Sequence, residues 1–108
     1  MRYKLFQIKD VENCPYVFSS FNFAQKDNKF SLKDYEVVYS GEIYNYNIEY
    51  TLEKLFEIFN IYQPEDFRGR SMSVSDVVML DRGTYVEHYY CDHIGFKKIP
   101  TSLIDLCS

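Results

Sequence analysis

The side chains able to do chemistry crowd into one third of the chain, from Asp66 to Phe96. This segment holds the hydroxyls of Ser71, Ser73 and Ser75, the carboxylates of Asp66, Asp76 and Asp92, the imidazoles of His88 and His93, and the Cys91 thiol. Arg68 and Arg70 flank Gly69. A serine, a histidine and an orienting carboxylate are the parts of an acyl-transfer site. The strained Gly-x-Ser-x-Gly elbow that would present such a serine is absent from the sequence. Cys91, Asp92, His93 and His88 are metal-ligand types, but their i, i+2 and i, i+5 spacings do not match a common closed zinc site. Four glycines are scattered outside any phosphate-cradling pattern, and no pair of carboxylates stands out for glycoside chemistry. The expectation is a protein that is not an enzyme and takes no metal or cofactor. A small hydrolase using a serine with His88 or His93 is the weakest of the readings.

The same residues have a structural account. Asp76 lies in an apolar run and is costly to bury unless paired. Arg68 and Arg70 are expected to pair with Asp66, Asp76 or Asp92 and hold a loop. The alternation of Ser71, Ser73 and Ser75 puts three hydroxyls on one strand face, where they can satisfy backbone groups.

Binding has a second stretch to itself. From Asp34 to Asp66 there are eight acids against the single base Lys54, a charge of −7 in a chain whose net charge is −4. Six of the 11 tyrosines fall in this window. Glu42, Tyr44, Tyr46, Glu49, Tyr50 and Glu53 form the candidate partner-binding surface. Its carboxylates suit a basic groove, and its tyrosines supply desolvated anchors. The same acids also serve as a solvated face that keeps a protein soluble. A net negative chain is a poor direct binder of nucleic acid.

Elements to carry these groups can be read from the patterning. Tyr3 to Ile8 reads as a first strand. Ser19 or Ser20 caps a short helix running to about Lys26. Tyr35 to Ile43 reads as a strand in which Gly41 marks a bulge or a close approach. Leu52, Leu55, Phe56 and Phe59 recur at i, i+3, i+4, i+7, which predicts an amphipathic helix over about 51–60 capped by Thr51. Val77 to Leu80, a turn at Asp81-Arg82-Gly83-Thr84, and Tyr85 to Cys91 read as a hairpin. Lys97 to Ile99 follows as a short strand, and Ser102 to Cys107 as a final docked turn. The sum is an α+β fold: a mainly antiparallel sheet of about five strands with one amphipathic and one short helix.

At 108 residues the chain is expected to form a single domain, 1–108. The three widely spaced cysteines, Cys14, Cys91 and Cys107, do not make a disulfide framework, and Met1 leads into a strand-like segment rather than a leader. A reduced, cytoplasmic setting is expected, with no membrane span. The tyrosine content and exposed strands suit a monomer or a homodimer.

The VYSGEI strand, the LEKLFEIFNIYQPEDFRGRSMSVSDVVML block and the YYCDHIGFKKI ending together resemble the YodL-like domain family over nearly the whole chain. The pairing of RGRSMSVSDVV with YYCD-x-x-GF carries the resemblance, so Arg68, Gly69, Arg70, Ser71, Ser73, Ser75, Asp76, Asp92, Gly95 and Phe96 are its motif residues. Family members usually have a small residue where His93 stands. The resemblance implies a setting: small proteins, or modules of larger ones, carried by phages, mobile elements and their Gram-positive hosts. Setting and surface together imply an inhibitor that binds a host nucleic-acid defence protein stoichiometrically, in the manner of an anti-CRISPR or anti-restriction protein. The alternative is a non-inhibitory adaptor docking through the Arg68 to Ser75 loop.

Overall fold

Period-two patterning builds five strands: β1 (Arg2–Ile8), β2 (Tyr35–Glu42), β3 (Val77–Asp81), β4 (Val86–Cys91) and β5 (Phe96–Lys98). They form one sheet in the order β2-β1-β3-β4-β5, antiparallel at every junction. Among the described residues three α-helices accompany it: α1 (Phe21–Gln25), α2 (Ile48–Asn60) and α3 (Thr101–Asp105). The fold is α+β. The computed structural model describes residues 1–45 and 47–105, so Tyr46 and Cys107 lie outside the described residues.

Each sheet face is covered by a different part of the chain. Tyr3, Leu5, Val78, Leu80, Tyr89 and Cys91 project to one face, where Leu52, Leu55 and Phe59 of α2 close the core with Phe67 and Met72. Ile8, Val77, Tyr90 and Ile99 project to the other, under Tyr16, Phe21, Ala24 and Phe30. The tyrosines divide as their hydroxyls allow. Tyr16, Tyr35 and Tyr90 are buried and donate to Asp34, to the Ser75 carbonyl and to the Ser19 carbonyl. Tyr44, Tyr50, Tyr62 and Tyr85 are exposed.

Helix α2 begins three residues before the position that periodicity predicts. Its cap is Asn47, in extended conformation, whose side chain accepts from the Tyr50 N–H at 2.9 Å. Thr51 lies inside the helix, fully buried, and its hydroxyl donates to the Asn47 carbonyl at 2.8 Å. The first turn is hidden from a hydrophobic-period reading because it carries Glu49 and Tyr50 on its exposed side. Phe56, expected on the core face, is 43 % exposed and sits at the core's rim. In α1, Ser20 is the cap, accepting from the Phe23 N–H.

The bulge in β2 falls at Val38 rather than Gly41. Leu5 pairs with Tyr39 and Phe6 with Val37, so Val38 is the extra residue. Gly41 marks a close approach, since a Cβ there would meet the Tyr3 hydroxyl at 2.7 Å. The alternation of Ser71, Ser73 and Ser75 is not a strand: the ladder starts only at Val77, and Ser75 has a φ of 84°. The last helix occupies Thr101–Asp105, and the remainder of the expected final turn lies outside the described residues.

The cap assignment is tested by Asn47→Ala. It is expected to lower the unfolding free energy by about 1 kcal/mol, read as a lower urea midpoint with an unchanged denaturant slope. An unshifted midpoint would return the start of α2 to Thr51.

Candidate functional site

The motif loop from Phe67 to Asp76 is held from beneath by one strand residue. Gln7, on the α2 side of β1, is fully buried. Its carboxamide oxygen accepts from the Arg70 N–H at 2.9 Å, and its nitrogen donates to the Arg70 carbonyl at 2.8 Å and to Asp76 Oδ2 at 2.9 Å. The side chain therefore pairs with Arg70 as a neighbouring strand would. Gly69 makes this possible, because a Cβ there would lie 2.7 Å from Gln7 Oε1 and 2.8 Å from the Phe67 ring. Asp76 Oδ2 also accepts from the Ser73 N–H at 3.0 Å.

This network corrects the expected Arg–Asp pairing. Arg68 donates to the carbonyls of Glu65 and Phe67, and Arg70 reaches the Ile8 carbonyl at 3.3 Å. Among the described residues no hydrogen bond or ion pair joins either guanidinium to a carboxylate, and the amide of Gln7 stands where an arginine is expected. Ser75 is equally committed. Its hydroxyl accepts from the Phe18 N–H at 3.0 Å, its carbonyl from the Tyr35 hydroxyl at 2.6 Å, and its N–H donates to the Cys91 carbonyl. Ser71 accepts from Gln63, and Ser73 donates to the Ser71 carbonyl.

His88 is separated from Cys91, Asp92 and His93 by the sheet. His88 pairs with Met79 in the ladder, beside the Phe6 ring, on the face away from α2. Cys91 faces α2. Desolvation lowers the His88 pKa and pushes the Cys91 thiol up to about 12, so Cys91 is protonated at neutral pH and a poor metal ligand or nucleophile. Among the described residues no three potential ligands converge on a metal position.

The acidic surface assembles only in part. Glu49 and Glu53, one helical turn apart on α2, are exposed, with Tyr50 beside them 52 % exposed. Among the described residues neither acid has an ion-pair partner, whereas Glu57 meets Lys54 at 3.4 Å. Tyr44, in the loop before α2, is 91 % exposed. Glu42 is set apart. It pairs across the sheet with Arg2, whose guanidinium lies 3.7 Å away, and strand alternation places both on the face opposite α2.

A cleft adjoins the α2 acids that sequence reasoning did not find. It lies between α2 and the turn joining β4 to β5, has a volume of about 330 Å³, and is lined by Glu53, Phe56, Cys91, Asp92, His93, Gly95 and Phe96. The exposed position of Phe56, one turn beyond Glu53, is the only trace of it in the helix pattern.

A family model described as a YodL-like domain matches residues 2–101. A search of curated proteins finds the chain similar to Uncharacterized protein YodL of Bacillus subtilis (strain 168), 29% identical over 84 residues that cover 73% of this chain and 75% of that protein. No solved structure matches the chain.

Asp76 gives this network a pH signature. Burial raises its pKa from 3.8 to about 6, opposed by the hydrogen bonds from Ser73 and Gln7 and by the Arg70 charge. A carboxyl whose folded pKa is raised contributes stability below its unfolded pKa, and that contribution is lost as pH rises through the folded pKa. Relative to Asp76→Asn, the native chain is therefore expected to lose on the order of 3 kcal/mol between pH 4 and pH 6 and to change little above. Urea denaturation of both chains across that window checks this, and a pH-independent difference would show that Asp76 does not titrate there.

Proposed function

The chain belongs to the YodL-like domain family, and from that premise and the exposed face of α2 we propose that it acts by stoichiometric protein binding. The setting comes from the resemblance: a phage or mobile element, acting in the host cytosol. The target class comes from the charge. Glu49 and Glu53 stand without counter-ions beside an exposed tyrosine, and carboxylates so placed substitute for phosphates in a basic groove. The partner is accordingly a nucleic-acid-binding nuclease of a host defence system, a restriction enzyme or a CRISPR effector, inhibited by occlusion. The observation that carries the reading is this pair of unpaired acids with Tyr50 on the outward side of α2. Tyr44 extends the face, and Glu42 does not belong to it.

No turnover is invoked. The hydroxyls of the motif loop are engaged in internal hydrogen bonds, and the Cys91 thiol is buried and protonated. The same internal bonding makes the Arg68 to Ser75 loop the weaker docking surface, because its polar groups hold the loop to Gln7 and the sheet. Among the described residues no helix is long and apolar enough to cross a membrane.

A Glu49→Lys/Glu53→Lys double variant tests the face. The tagged native chain is expected to retain a nuclease from host lysate in one-to-one complex and to slow its cleavage of DNA, with affinity falling as salt rises. The variant, folded by its melting curve, is expected to lose at least tenfold in affinity. Equal capture by native and variant chains would remove α2 from the interface.

A further inference from the structure

The cleft beside α2 has the chemistry of a side-chain pocket. Phe56, Phe96 and the protonated Cys91 give it apolar walls, and Glu53 and Asp92 supply two carboxylates. His93 also lines it, and no Lys or Arg does. Asp92 is fixed by the turn: its N–H donates to the Gly95 carbonyl at 2.9 Å, and its Oδ1 accepts from the His93 N–H at 2.8 Å. Gly95 closes that turn with a φ of 69°, a conformation that disfavours any side chain. A second hollow of about 240 Å³ continues the cleft, sharing Glu53, Gly95 and Phe96 and adding Glu49 and the 86 % exposed Ile94. Together they form a groove along α2.

We propose that this groove takes an arginine side chain on an extended segment of the protein partner. The partner itself rests on the binding reading given above. A purely apolar occupant would strip water from two carboxylates and return nothing. An anion would meet their charge. A lysine would satisfy the charge but present a compact, strongly hydrated ammonium to aromatic walls. A guanidinium is planar, weakly hydrated, stacks on aromatic rings and offers several N–H donors to separated carboxylates. Its methylene stem suits the apolar walls, and the second hollow accommodates the neighbouring residue against Ile94. Lys97, which lines only that second hollow, leaves the deeper charge uncompensated.

The test uses the full chain, isotope-labelled, and the blocked peptide acetyl-Gly-Arg-Gly-amide followed by backbone amide shifts. Saturable shifts are expected at Phe56 and from Cys91 to Phe96. The citrulline peptide, neutral and of the same shape, is expected to bind at least tenfold more weakly, and the lysine peptide several-fold more weakly. Asp92→Asn keeps the oxygen that accepts from His93, and Glu53→Gln is a surface change. Each is expected to weaken the arginine peptide several-fold while the spectrum stays that of the folded chain. Equal shifts with citrulline, shifts spread over Glu36 and Glu42, or unchanged affinity in both variants would overturn the proposal. If the native chain captures its nuclease but not the peptide, the groove assignment falls and the binding reading stands. If it binds the peptide and no nuclease, the groove stands and the binding reading falls.

Discussion

The buried contact of Gln7 with Arg70 and Asp76 is the constraint on which the architecture turns. After α2 the chain must leave the helical face of the sheet, cross its end, and enter β3 beside β1. A crossing backbone needs partners, because an unpaired buried N–H or carbonyl costs as much as a lost hydrogen bond. Gln7 supplies them with a side chain that has one donor group and one acceptor, matched to a peptide unit. Its second amide hydrogen goes to Asp76. The price is a carboxylate held under an apolar core with a raised pKa. Ser75 then secures the other face, taking Phe18 and Tyr35 as partners through a strained positive φ. Adjacent residues thus bind opposite layers of the molecule.

This inward commitment explains the division between scaffold and surface. Glu87 on the sheet is matched: it meets Lys98 at 2.7 Å and Arg82 at 3.7 Å, and Lys98 holds its carboxyl below the usual range. On α2, Glu49 and Glu53 have no ion-pair partner among the described residues. A helix carries such charges well, since its backbone is satisfied internally and its position is set by Leu52, Leu55 and Phe59 beneath. An acidic outer side on a helix whose inner side is fixed by packing is a rigid presentation.

Elements with a strong period were legible in the sequence. The five strands, the short helix capped by Ser20 and the helix through Leu52, Leu55 and Phe59 all follow from local alternation or capping chemistry. The misreadings share a cause: a local pattern whose meaning is set from far away. Ser71, Ser73 and Ser75 alternate as a strand would, yet their hydroxyls serve a loop. Gln7 occupies an ordinary polar position in β1, and its burial is decided by residues more than sixty positions later. Phe56 keeps the helical period but lies where the helix surface turns away from the sheet. Glu42 lies close to Glu49 in sequence, but strand alternation sends it to the other side of the sheet. The cleft had no signature because its two walls, α2 and the β4–β5 turn, are far apart in sequence.

The strand order has a kinetic meaning. β1 is the first strand made and lies between β2 and β3, so both of its edges are filled by segments that follow it. The β2 edge can close early, while the β3 edge waits for residues 77–81. Until then Leu5 and Ile8 lack part of their cover, and Gln7 has no peptide to imitate. Loops this long are slow to close and yield their contacts late in the search. A chain emerging from a ribosome therefore passes through an interval with an unsealed sheet edge, and the late arrival of Arg70 to Asp81 ends it. The segment from Arg70 to Asp81 thus fills the second edge of β1 and brings the peptide unit that Gln7 pairs with.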